Sequence, residues 1–314
     1  MKRFALLYFT VFFISLLIGR LFVNPVHMTE LARTIILDVR LPRIIAASLA
    51  GAALSLAGLA FQNLFRNHLA GPNILGVTSG AAFGAVIAIL LFSFNPYLVQ
   101  TFSFVFGLVA VVIAYKMSRL VGDGIISLLL AGIAVSAFFS ALVGIAKYLA
   151  DPYDKLPTIV FWLLGSFAGI RWEDLKFFSI PILLGIFGLT AMRWAFNVLS
   201  LGDDEAKALG MNVSLYRKVI ISLAALAVSA TTAISGMISW VGLVSPHIAR
   251  LIVGYDNRKL VPASAFVGAT LLLICDDIAR TLTPSELPLG VVTSLIGAPI
   301  LVAILARRYR NAQG

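Results

Sequence analysis

Charge is what this sequence has least of. Of its 314 residues only 12% are Asp, Glu, Lys or Arg, against 60% hydrophobic and a mean hydropathy of +1.00. A soluble chain carries about 25% charged residues, so a water-soluble globule of this composition would have too apolar a surface to stay dispersed. A single cysteine, Cys275, excludes a disulfide framework and lies in an apolar run as a small packing residue. The three histidines, His27, His68 and His247, are far apart and show no ligand spacing, so no metal site is expected. There is no HExxH, no GxSxG and no GxxxxGK(S/T), which excludes the common hydrolase signatures and a nucleotide-binding loop. The net charge of +10 makes no nucleic-acid surface, because that needs clustered Lys and Arg and here they are scattered between apolar runs.

What is present is a succession of long apolar runs. A membrane barrel would instead alternate apolar and polar residues in short segments. A helix needs about 20 mostly apolar residues to cross a bilayer. Ten candidate spans follow, near 4–23, 42–65, 74–94, 97–117, 124–149, 175–199, 215–236, 237–254, 260–282 and 289–306. The eighth is the weakest, being short and carrying Trp240, Pro246 and His247. The expected fold class is all-α: a polytopic integral membrane protein of about ten transmembrane helices in one domain, 1–314. With both termini cytoplasmic, the inner segments carry the whole net charge of +10 and the outer ones none, as the positive-inside rule asks. Dropping the eighth span would put the terminal ARRYR cluster outside. The basic start leads to Arg20 and Asn24-Pro25 rather than a small-x-small cleavage site, which predicts an uncleaved first span.

Small residues let helices approach closely in lipid. They recur at four-residue spacing as Gly76, Gly80 and Gly84, as Gly132, Ser136, Ser140 and Gly144, and as Ala47, Gly51 and Ser55. These stripes predict a tightly packed bundle. Three connecting segments stand out. FRNHLAGPNILG (65–76) is polar and cytoplasmic. The outer stretch 151–175 is too short to cross twice and reads as a loop with a short helix across the mouth. SLGDDEAKALGMN (200–212) is cytoplasmic and shaped like a short helix, its Asp203, Asp204 and Glu205 favouring the N-terminal turn and Gly210 the end. In CDDIAR (275–280), Asp276 and Asp277 are both spaced to pair with Arg280 on a helix. Structural pairing at a span end, or docking on the outer face, accounts for this cluster better than an ion relay.

Residues 40–85, RLPRIIAASLAGAALSLAGLAFQNLFRNHLAGPNILGVTSGAAFGA, resemble the signature region of the FecCD-type permeases. The likeness continues through LLLAGIAVSAFFSAL, FWLLGSF, LGDDEAKALGMNV, ISGMISWVGLVSPHIARLIVG and ELPLGVVTSLIGAPILVAIL, and so covers nearly the whole chain. That family supplies the membrane subunits of ABC importers for iron–siderophores, haem and cobalamin, with relatives that carry oxyanions such as molybdate. The resemblance implies ten helices per subunit and a homodimer, or a pair with a paralogous permease, with the pathway at the two-fold interface in membrane lipid. It also implies two separate cytoplasmic ATPases and an external substrate-binding protein. This chain would then bind no cofactor, ATP and Mg residing on the ATPase, and would catalyse no reaction of its own.

Position by position, the resemblance makes Leu201, Gly202, Asp203, Asp204, Glu205, Ala206, Lys207, Ala208, Leu209, Gly210 and Met211 the segment that couples to the ATPase. Lys207 departs from the alanine found there in related importers. Asn67 and Leu69, with Ile126 and Ser127, fall at the cytoplasmic gate. Arg40, Arg43 and Arg280 fall where the family meets acidic residues of the binding protein. The sequence places Arg40 and Arg43 on the outer side, around Pro42 in the first turn of the second helix, where a missing N–H is harmless. An iron–siderophore chelate is the first-choice cargo, with cobalamin, haem and oxyanions as alternatives. A secondary transporter built on Asp276, Asp277 and Arg280, or a membrane enzyme, are the competing classes.

Overall fold

The computed structural model describes residues 1–19, 29–92, 94–122 and 124–313, and among them there is helix but no strand. Arg20, Asn24, Pro25 and His27 lie outside the described residues. The helices are α1 (Lys2–Leu17), α2 (Glu30–Thr34), α3 (Leu41–Leu64), α4 (Val77–Phe92), α5 (Pro96–Val121), α6 (Ile125–Leu149) and α7 (Lys155–Leu164). They continue as α8 (Trp172–Ala191), α9 (Arg193–Leu199), α10 (Asp203–Ala208), α11 (Val213–Ser235), α12 (Val241–Val253), α13 (Asn257–Thr281) and α14 (Leu289–Gln313). Among the described residues six helical stretches are long and apolar enough to cross a membrane: 30–64, α5, α6, α8, α11 and α13. The chain is a polytopic membrane protein.

The helix expected to begin at Pro42 begins at Glu30 instead. It runs from α2 through a π-helical segment, Ile35–Arg40, into α3. Proline inside a helix leaves a carbonyl one turn earlier without its donor, and widened π turns accommodate such interruptions. Here the Leu41 N–H bonds Ile36 O, and Pro42 has no N–H to offer Leu37 O. The indole Nε1–H of Trp172, at the start of α8, donates to Leu37 O at 3.0 Å. Arg40 and Arg43 therefore sit within a continuous helix and not at a helix N-terminus, so no dipole opposes them.

α3 lies at the centre of the bundle and packs on α8, α11, α12 and α13. Its small residues set the distances. A Cβ on Gly51 would come within 2.3 Å of Gly268 O in α13, and one on Gly268 within 2.3 Å of Gly51 O. Ser55 Oγ donates to Ser264 O at 2.7 Å on the same seam. A Cβ on Gly58 would lie 1.8 Å from Gly242 O in α12. The other stripes divide. Gly80 and Gly84 pack on α5, but Gly76 precedes α4 with φ +78° and acts as a turn residue. Gly132 meets Ile74 O, whereas among the described residues Gly144 has nothing within 4 Å of an added Cβ and Ser140 is exposed, so that half of the expected stripe lies on an open face.

The eighth predicted span is only half a helix. Residues 236–240 run without helical structure, and α12 starts at Val241 beside the middle of α3. Irregular backbone is tolerated at membrane depth only inside protein, and Gly236 and Ile238 are buried. Trp240 holds φ +69°, and its side chain packs on Gly297 of α14, where an added Cβ would lie 2.6 Å from the Trp240 Cβ and 3.1 Å from its ring Cγ. At the far end an amide clasp joins α3, α9 and α13. Asn257 Nδ2 donates to Asn63 Oδ1 at 3.1 Å and to Asn197 Oδ1 at 2.9 Å. Asn197 Nδ2 then donates to Asp256 at 2.9 Å, and that amide, with the Arg258 N–H, holds the Asp256 carboxyl below its ordinary range.

The close α3–α13 seam predicts that Gly268→Val lowers stability by about 1–3 kcal/mol, the usual effect of overpacking. Gly144→Ala should cause no loss in the monomer, since alanine favours a helix over glycine by up to about 1 kcal/mol. Thermal unfolding in detergent micelles reads both, and equal destabilisation would contradict the packing.

Candidate functional site

Two polar regions lie at opposite ends of the bundle, one beside α7 and one beside α10. At the α7 end the three arginines of the sequence reading come together, turned inward. Arg40, Arg43 and Arg280 are 5%, 8% and 5% exposed. Arg43 bonds Asp276 through Nε and Nη2 (2.8–3.1 Å) and Glu286 through Nη1 at 3.0 Å. Arg280 pairs with Asp277 through Nη2, which also donates to Ser15 O at 2.5 Å. Arg40 Nη1 donates to Leu16 O and Leu17 O, both at 2.9 Å.

This arrangement has a plain electrostatic logic. The last four carbonyls of a helix lack intrahelical donors, and cations are favoured there. In α1 the Ile18 N–H serves Ile14 O; Arg280 serves Ser15 O, and Arg40 serves the two that remain. Asp276 and Asp277, adjacent in sequence, diverge: Asp277 takes Arg280, as the three-residue spacing allows, while Asp276 crosses to α3. Arg280 thus pairs with one acid of CDDIAR, not both. The sequence reading gave these arginines to an external partner. As placed, all three have intramolecular partners and are not presented as exposed cations. Glu286, which the sequence reading did not single out, closes the cluster from the 282–288 loop at φ +38°. In the sequence it is an acid midway between Pro284 and Pro288, six residues after Arg280.

At the α10 end the expected short helix is present, with Asp203, Asp204 and Glu205 in its first turn and Gly210 at φ +81° after its end. Arg217 Nη2 donates to Asp203 at 2.7 Å and ties α10 to α11. Ala206 and Met211 are buried beneath it, while Leu201, Glu205, Lys207, Ala208 and Leu209 face outward. A half-buried helix with two exposed leucines at its flanks is a surface ready to be covered.

The gate candidates lie at this same end. Asn67 Oδ1 accepts the Leu69 N–H at 2.9 Å, and Leu69 and Ile126 are exposed while Ser127 is half-buried. His68 and His247, distant in sequence, are adjacent in space. His247 Nε2 donates to His68 O at 2.9 Å, assigning that tautomer. Arg250 Nη2 donates to Gln62 Oε1 at 2.9 Å, so α12 is fastened to the end of α3. No group of three or more His, Cys, Asp or Glu suited to a metal occurs among the described residues.

Two cavities accompany these regions. One of about 560 Å³ lies beside α7, lined by Tyr97, Gln100, Phe161, Trp162, Arg171 and Asp174 among others. The other, of about 210 Å³, lies between α10 and the ends of α5, α6 and α11.

Removing one partner of a buried ion pair strands the other, at about 3–5 kcal/mol. Arg43→Met should lose that much stability, and Arg43→Met with Asp276→Leu should recover most of it. Arg43→Glu should fail to fold, not merely lose a docking contact. Denaturant unfolding in mixed micelles checks all three, and a stable Arg43→Glu chain would refute the buried pairing.

Comparison with known proteins fits this geometry. The molybdate import system permease protein MolB of Haemophilus influenzae is 43% identical over 289 residues, covering 92% of this chain and 86% of that protein. An iron chelatin transport system permease protein of Helicobacter pylori is 40% identical over 283 residues, covering 90% and 86%. Among solved structures, an inward-facing metal-chelate type ABC transporter superposes with a TM-score of 0.92 at 41% identity, covering 98% of both chains. The profile of the FecCD transport family matches residues 6–307. With that match spanning nearly every element described above, the chain belongs to the FecCD transport family, whose members are permeases of ABC transporters.

Proposed function

We propose that this chain is the membrane half of an ATP-driven importer and works by alternating access. It crosses the cytoplasmic membrane ten times with both termini inside, so the α10 end is cytoplasmic and the α7 end external. The observation that carries the reading is α10 itself. It is a two-turn helix anchored by one ion pair, buried on one side and exposed through Leu201 and Leu209 on the other. The chain has no nucleotide-binding loop, so the force that moves it must enter through such a contact. Two separate ATPase subunits supply it, holding ATP and Mg, while 67–69 and 126–127 form the inner gate.

A second copy of the chain covers the open face of α6, where Ile133, Phe138 and Ile145 are exposed around Ser140 and Gly144. Small residues between large apolar ones are the composition by which helices associate in lipid. An external binding protein delivers the cargo to the α7 end. Arg40, Arg43 and Arg280 serve that docking indirectly, by holding α1, α3 and α13 in one platform.

The cargo proposed is an iron chelate of siderophore type. A molybdate-type oxyanion is the second reading, favoured by the 43% identity to the molybdate permease.

Proteoliposomes containing the chain, with and without a co-expressed ATPase, test the central reading. ATP-dependent uptake should require the ATPase and should stop in Leu209→Asp at unchanged thermal stability. Uptake driven by an ion gradient without the ATPase would overturn it. Ferric siderophore and molybdate, supplied separately with the cognate binding protein, decide the cargo.

A further inference from the structure

The cavity of about 210 Å³ at the α10 end has no part in the function proposed above. Arg119, Lys207 and Arg217 line it together with Asp203, Ser214 and Tyr115. Among the described residues that line it, three cations face one carboxylate, and Asp203 is already held by Arg217 at 2.7 Å. The Lys207–Asp204 pair at 3.2 Å is on the surface, its side chains 63% and 94% exposed, and such pairs contribute little. The Arg119 guanidinium stacks on Tyr115, 5.2 Å from the ring centroid. Stacking orients a guanidinium while leaving its in-plane donors to bond an oxyanion.

The size and the position both select the ligand. Drug-sized ligands occupy about 300–1,000 Å³, so this cavity suits a tetrahedral oxyanion and excludes a bulky chelate. It is formed where α5 ends and where α6 and α11 begin. The ends of spans lie at headgroup level, and basic pockets between spans on the inner side hold anionic headgroups. The spans α5 and α6 are also among the least enclosed, with 33% and 28% of their apolar windows buried.

We propose that this cavity binds a phosphate-type oxyanion, carried by an anionic lipid headgroup or free in solution. The bound anion ties α10 to the ends of α5, α6 and α11. Lys207, the departure in the coupling segment noted from the sequence, is one of its ligands. The site stands whether or not α10 engages an ATPase.

The test uses the full chain in phosphatidylcholine nanodiscs. One arm titrates phosphatidylglycerol and counts retained lipid by native mass spectrometry. The other titrates inorganic phosphate at constant ionic strength and follows thermal stability. Arg119→Gln removes a ligand, and Ser214→Glu sets a carboxylate in the cavity at the first turn of α11, where an acid favours the helix. Saturable binding in either arm, weakened about tenfold or more by both variants, supports the site. The responding arm identifies the source. No saturable binding in either arm, or binding indifferent to both variants, would overturn the proposal.

Discussion

The close approach of α3 and α13 at Gly51 and Gly268 is the contact on which the rest of the bundle depends. With no Cβ on either residue the two backbones meet, and the antiparallel register between them is fixed. Four positions from that contact on each helix, Ser55 meets Ser264; eight positions away in the other direction, Arg43 meets Asp276. Two turns past the serines the same register brings Asn63 to Asn257. A side chain larger than hydrogen at the crossing would separate the helices and spoil every one of these polar contacts. They tolerate little drift because their hydrogen bonds require heavy-atom distances near 3 Å.

The charges near the α7 end follow from this register. Three guanidinium groups and three carboxylates are gathered where α1, α3 and α13 meet, and the cluster is neutral as a whole. Each acid has a cationic partner within the cluster. That geometry belongs to a clamp and not to an ion relay. The α10 end is built differently, from amides, histidines and a lightly anchored surface helix. One end is tied by a buried cluster of ion pairs, the other by amide and histidine hydrogen bonds with a single ion pair, Arg217–Asp203, under the surface helix.

Much of this was legible in the sequence, because apolar runs, charge asymmetry and the acidic turn at 203–205 are local signals. The short helix α10 and the helix inside 151–175 stand where their residues placed them. The misreadings share one cause, which is that partners distant in the chain decide the outcome. Pro42 reads as a helix start until Trp172 is seen to supply the donor for Leu37 O. Nothing local in the sequence shows that Arg40 and Arg280 also serve the carbonyls of α1. Asp276 reads as a partner of Arg280 until α3 brings Arg43. Gly144 and Gly132 look alike in one stripe, yet among the described residues only Gly132 has a close neighbour. The break at 236–240 was foreshadowed by Trp240 and Pro246, but its depth depends on α3 and α14.

The capping of α1 has a consequence for the order of biogenesis. α1 leaves the ribosome well before α13, yet the carbonyl of Ser15 receives its donor from Arg280, 265 residues later. Until α13 has been synthesised and inserted, the end of α1 is supported only by Arg40 and whatever the lipid interface offers. α1 is therefore fully seated only late in synthesis, and a chain truncated before residue 280 carries an unfinished helix terminus. Such a terminus is a mark by which a membrane quality-control protease could tell incomplete chains from complete ones.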